Sequence, residues 1–186
     1  MLNEKNIEES SKVIKQLISE GKIVKPKPQT ETFFIEKSRN SLAISQRLLD
    51  LFEEEGLDTH VWVINAAYYS MFFAATALLA KYNYKINTKI GIHKLTYHAL
   101  VHYFVKEESK FKKELMEEYE DAVEEAEELL QLSKQKIEGL VTDFNFEQAK
   151  RKVFTYQLDA TAERNKALTS FNRAKSFFRE MEKVMS

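Results

Sequence analysis

VWVINAAYYSMFFAATALLA, residues Val61 to Ala80, runs for twenty positions without a charged side chain. A helix that is apolar on every side is either central in a bundle or embedded in a membrane. The length reaches the roughly 20 residues needed to span a bilayer. Asn65, Tyr68, Tyr69, Ser70 and Thr76 interrupt it with polar groups, however, and the helices expected around it are amphipathic. The stretch is therefore read as the core helix of a bundle. Ala67, Ser70, Ala74 and Ala77 recur at helical spacing and would let a partner backbone come close.

Outward from this helix, both prolines fall in Pro26-Lys27-Pro28 and only four glycines occur in 186 residues. Scarce breakers with abundant Glu, Lys, Leu and Ala describe long helices. A first helical piece is expected over Ile7 to Ile18. The stretch GKIVKPKPQT then reads as an extended arm, because X-Pro pairs disfavour α geometry. Thr30 is the expected N-cap of a helix from Glu31 to Glu54, with an apolar stripe of Ile35, Leu42, Leu49 and Phe52. Ser38, Ser41 and Ser45 lie on or beside that stripe and point to a close neighbouring helix. Gly56 ends this helix, and Asp58 or Thr59 is placed to cap the core helix, which runs to Tyr82.

After the polar connection NYKINTKIG, a third helix spans Ile92 to Val105 and a fourth Ser109 to Ile137. The fourth is acidic, with nine acids and no Lys or Arg between Glu114 and Glu128. A short piece over Phe144 to Lys152 and a last helix from Asp159 to Lys183 complete the chain. From Glu147 to Lys183 nine Lys or Arg stand against five acids, so the acidic helix and the basic C-terminal region are complementary in charge. The fold class expected is all-α, an up-and-down helical bundle of four to five main helices with an N-terminal helical extension. Residues 1–29 form that extension and its Pro-containing arm; residues 30–186 form the bundle domain.

Composition narrows the chemistry. Basic and acidic side chains nearly cancel, 28 against 29, which argues against bulk attraction to nucleic acid or anionic membrane. With no cysteine there is no disulfide, thiolate nucleophile, Cys-ligated zinc or iron–sulfur cluster. The N-terminal MLNEKNIEESSK has no apolar h-region, and a cytoplasmic setting is expected. His98 and His102 stand four apart, the spacing by which two imidazoles share a metal, but the run is HALVH rather than HExxH. No Glu-x-x-His occurs, which removes the di-iron bundle signature. These histidines read as helix residues flanking Leu95 and Leu100, and neither metal nor cofactor is expected. Nor do scattered glycines allow a phosphate-binding loop or a Gly-x-Ser-x-Gly elbow. Lys150, Arg151 and Lys152, followed by Phe154 and Tyr156, interleave basic and aromatic residues in a way that suits phosphates and bases.

The string INAAYYSMFFAATALLAKYNYKINTKIGIHKLTYHALVHYFV resembles the HEPN family of small helical bundles. The matching habit is an Ala-Tyr-Tyr-x-Met-Phe-x-Ala-Ala core helix, a polar loop, and a helix opening with His. It falls on Ala67, Tyr68, Tyr69, Met71, Phe72, Ala74, Ala75 and His93. The resemblance covers Glu31 to Glu182 and implies a bundle, often homodimeric, associated with nucleotides or RNA. Many members are RNA-cleaving toxins, and others pair with a small nucleotidyltransferase on a separate chain.

The nuclease members carry an Arg followed by four to six residues and then His, late in the bundle. That motif is missing here, since every His precedes Arg151. The nearest relics run from Arg151 to Tyr156 and from Arg164-Asn165 to Thr169 or Ser170, and a hydroxyl cannot shuttle protons as an imidazole does at neutral pH. Ala66 and Phe73 stand where related sequences often place a basic residue and a histidine.

The resemblance thus implies a non-catalytic homodimer that binds a nucleotide, RNA or a protein partner, with no membrane association. The alternative is a ribonuclease toxin or a nucleotidyltransferase-associated toxin–antitoxin component using noncanonical residues. The candidate ligand-binding residues are Asn65, Tyr68, Tyr69, His93, His98, His102, Arg151, Lys152, Tyr156, Arg164 and Asn165, with no catalytic residue and no metal ligand assigned.

Overall fold

A computed structural model describes residues 3–55, 57–88, 90–107, 115–125 and 160–185. The fold is an all-α helical bundle with one small antiparallel ribbon. Helix α1 is Glu4–Ser19, strand β1 Ile23–Val24, α2 Thr30–Glu55, α3 His60–Lys81, strand β2 Lys85–Ile86 and α4 Ile92–Leu100. A π-helical turn, Val101–Glu107, continues α4. The helical residues 115–125 form α5, and α6 is Ala160–Met185.

Helix α3 is long and apolar enough to cross a membrane, yet 72% of its apolar window is buried inside the fold. Its all-round apolarity is used up by neighbours on several sides. Met71, Ala74, Ala75 and Leu78 belong to one core cluster with Leu100 at the end of α4, Phe104 in the π-helical turn, Tyr119 on α5 and Phe177 on α6. Helix α1 contributes Ile14 and Leu17 to the same cluster. Burying one such large side chain is worth about 1.5–3 kcal/mol.

The tightest approach joins α2 to α3. Ser38 Oγ donates to the Ser70 carbonyl at 2.8 Å, and Ser70 Oγ donates back to the Ser38 carbonyl at 3.0 Å. Further along, Ser45 Oγ donates to the Val63 carbonyl at 3.0 Å. Side chains this short reach a neighbouring backbone only when two helices nearly touch. The opposed numbering of these pairs makes α2 and α3 antiparallel.

Several local expectations are corrected. The arm after Gly21 is partly a strand: Ile23 pairs with Ile86 and Val24 with Lys85. Pro26 and Pro28, which cannot donate to a ladder, follow the pairing directly. Thr30 is not an N-cap, because it is already helical and its hydroxyl donates to the Lys27 carbonyl. Thr59 does precede α3, but its hydroxyl donates to the Leu48 carbonyl at 2.6 Å instead of capping. The third helix is not α-helical to Val105; it widens to π geometry at Val101. Gly56 lies outside the described residues, as does the piece over Phe144 to Lys152.

The expected charge complementarity takes shape on α5 and α6. Arg173 lies 3.4 Å from Glu125 and 3.6 Å from Asp121, and Ser170 Oγ donates to Glu125 at 2.7 Å. The Tyr119 hydroxyl on α5 is fully buried and has no hydrogen-bond partner among the described residues. Burial, with Tyr68 adding to it, pushes that phenol well above its ordinary range.

Two stability predictions follow from this packing. Ser38→Ala should cost about 1 kcal/mol through lost hydrogen bonding, whereas Ser38→Leu should cost about 1–3 kcal/mol more by forcing α2 from α3. Urea melts showing the leucine variant as stable as the alanine variant would refute the close approach. Tyr119→Phe removes an unpaired buried hydroxyl and should be neutral or raise stability by up to about 1 kcal/mol; a clear loss in the same melts would show that the hydroxyl has a partner.

Candidate functional sites on the helical bundle

The predicted residues separate into distinct places. On α3, Tyr68 is buried while Tyr69 is partly exposed, as a helix must place adjacent side chains on different faces. His93, at the start of α4, stands among aromatic rings with centroids 4.3 Å away for Phe72, 5.4 Å for Tyr68 and 6.1 Å for Tyr69. Asn65 is close by in sequence, but its amide donates to the Val61 carbonyl of its own helix. An aromatic chain continues from Tyr69 to Phe73 at 5.7 Å, to Phe34 on α2 at 5.9 Å and to Phe33 at 5.2 Å.

This ridge opens onto an exposed apolar face that the sequence reading did not single out. Trp62, Ala66, Tyr69 and Phe73 fall on one stripe of α3, and Trp62 is 65% exposed. Across the hairpin, Phe33 and Ile44 share a stripe of α2 and are each more than half exposed. The only cue in the sequence was a large aromatic in the first turn of an otherwise buried helix.

His98 and His102 serve a different purpose. Both are buried, and each bonds through Nδ1 to a serine of α1: Ser10 Oγ at 3.0 Å and Ser11 Oγ at 3.1 Å. The single Ser10 hydroxyl proton goes to the Asn6 carbonyl at 2.9 Å, so Ser10 accepts from His98 Nδ1–H, and Nε2 of His98 carries the lone pair. Ser11 Oγ also accepts from the Lys106 ammonium at 3.1 Å. Among the described residues no group of three or more His, Asp or Glu could hold a metal.

His98 is held neutral: burial and then the Lys94 ammonium lower its pKa, with Glu9 opposing them. It lines a cavity of about 270 Å³ between α1, α4 and α5, together with Tyr97, Glu120 and Glu124. Burial first, and then Glu120, push the Tyr97 phenol well above its ordinary value, so it remains a donor to Glu120 at 3.2 Å.

Arg164 and Asn165 are exposed on α6. Asn165, Lys166 and Thr169 line an open groove facing Asp121, Glu124 and Glu125, a wall that attenuates any attraction for phosphate. Arg151, Lys152 and Tyr156 lie outside the described residues. The candidate set therefore does not form one site. Comparison with protein-family models, curated proteins and solved structures finds no match for this chain.

The pH dependence of stability checks the His98 environment. A histidine whose folded pKa is lowered lets the unfolded chain take up a proton first as pH falls through about 6.5. Stability should therefore decline from neutral pH toward acid, and His98→Asn, whose amide can still donate to Ser10, should flatten that decline. Glu9, Lys94, Glu120 and Glu124 face the same ring and remain in both proteins. Parallel curves of melting temperature against pH would refute the assignment.

Proposed function

We propose that the chain is a non-catalytic interaction protein that pairs with a second copy of itself through the α2–α3 aromatic face. The observation carrying this reading is the run of rings from Phe33 through Phe34 and Phe73 to Tyr69, with Trp62 and Ile44 exposed on the same two helices. Apolar surface of this kind on a soluble bundle marks an interaction site. A two-fold contact brings the same patch together from both subunits, so it is favoured by a face without charge. Trp62, Ala66, Tyr69 and Phe73 meet that condition. Lys37 brings one ammonium beside this face, its Nζ 5.6 Å from the Phe33 ring centroid, while Trp62, Ala66, Tyr69 and Phe73 offer a phosphate no cation.

The likeness of the Ala-Tyr-Tyr helix to HEPN proteins, in which dimers are common, supports the same reading. The missing Arg–His pair supports a non-catalytic role, and so do His98 and His102, each of which already bonds a serine of α1.

Light scattering on purified protein should report a dimer at micromolar concentration, and Trp62→Glu should shift it to monomer while leaving the helical circular dichroism unchanged. A wild-type monomer would overturn the pairing. RNA cleavage abolished by Arg164→Ala would overturn the non-catalytic reading in favour of the ribonuclease alternative.

A further inference from the structure

The β1–β2 ribbon and the first turns of α4 lie against the start of α2 and the C-terminal half of α3. A cavity of about 170 Å³ is left where β2, α2, α3 and α4 meet. We propose that this cavity is a binding site for a small aromatic monocarboxylate, its ring held among apolar side chains and its carboxylate paired with the Lys85 ammonium.

The walls select a ring. Phe34 from α2 and Phe72 from α3 line the cavity with Leu79, Ile86 and Ile92, and Leu79 and Ile86 are buried. Threonines line it too, but three of them spend their single hydroxyl proton inside the chain. Thr30 donates to the Lys27 carbonyl at 2.7 Å, Thr76 to that of Phe72 at 2.8 Å and Thr96 to that of Ile92 at 2.8 Å. With those hydroxyls bonded, the threonine wall behaves toward a ligand largely as apolar surface.

Size limits the ligand to one ring. An apolar cavity of roughly 150 Å³ stays dry and takes up benzene, and the volume here is of that order. It is well short of the roughly 300–1,000 Å³ of sites for drug-sized molecules.

The charge of the wall selects the substituent. Among the described residues lining the cavity, Lys85 is the only charged one. It is half-buried, and its place on β2 is fixed by the pairing with Val24. One ammonium balances one carboxylate. A phosphate would carry excess charge onto apolar surface, where an unpaired ion is costly, and an amine would meet repulsion. Of the aromatic run on the α2–α3 face only Phe34 lines the cavity, so this inference does not rest on self-association.

The test is titration of the full chain with benzoate, followed in a ¹³C-methyl spectrum. Saturable shifts are expected for the methyls of Leu79, Ile86 and Ile92. Benzyl alcohol keeps the ring without the charge, and should bind at least fivefold more weakly. Acetate keeps the charge without the ring, and should not displace benzoate. Lys85→Gln leaves the core alone and should weaken benzoate at least fivefold, with benzyl alcohol unaltered. Thr76→Leu extends a side chain into the cavity and should weaken both ligands at least tenfold. If that variant does not fold, the methyl shifts still decide where the ring sits and Lys85→Gln decides the carboxylate.

The proposal is overturned if benzoate gives no saturable shift at these methyls, or if benzylamine binds as tightly. It is equally overturned if acetate at the same concentration competes fully, since the contact would then be simple attraction to a lysine. Full benzoate affinity in Lys85→Gln, or in a folded Thr76→Leu, would also reject it.

Discussion

The reciprocal bonding of Ser38 and Ser70 holds two helices at a separation that no larger side chain would permit. Everything else in the bundle is arranged around that contact. Because α2 lies so close on one side of α3, the remaining circumference of α3 is free for other elements. Ala67, Met71, Ala74 and Leu78 are thereby available to the common core with α6, while Phe72 and Tyr68 turn toward His93 and α4. The uncharged composition of α3 is the consequence of being approached from several directions.

The same packing decides what the aromatic residues and the histidines do. Tyr68 and Tyr69 are neighbours in sequence but divide between the core and the surface. His98 and His102 share one helix face yet meet different serines, Ser10 donating on to the Asn6 carbonyl and Ser11 accepting from the Lys106 ammonium. Two surfaces of contrasting character result, one aromatic and nearly uncharged, the other polar and acidic.

Much of the architecture was legible along the chain. The twenty uncharged residues of the core helix, its small-residue spacing and the serines of α2 all predicted a close helical pair, and the structure contains one. The caps were less legible. Thr30 and Thr59 have the right chemistry and the right place, but their hydroxyls donate to carbonyls of Lys27 and Leu48, partners supplied by the local turn and by a neighbouring helix. The candidate site was legible only in part. His98 and His102 were noticed for their spacing, but Ser10 and Ser11, to which they are hydrogen-bonded, lie 88 and 91 positions away. No pattern within one helix reports such a partner.

Helical periodicity, the scarcity of Gly and Pro and the uncharged core segment determined by themselves that this protein is an all-α bundle built around residues 61–80, because these are local preferences summed over many positions. They also determined which side chains were absent from any chemistry, cysteine above all. Tertiary structure alone decided that α1 packs into the same core, that Trp62 and Tyr69 face outward, and that His98 and His102 are buried against serines of α1. Each of these depends on which faces meet across long sequence separations, and burial, proton sharing and local charge arise only from that meeting.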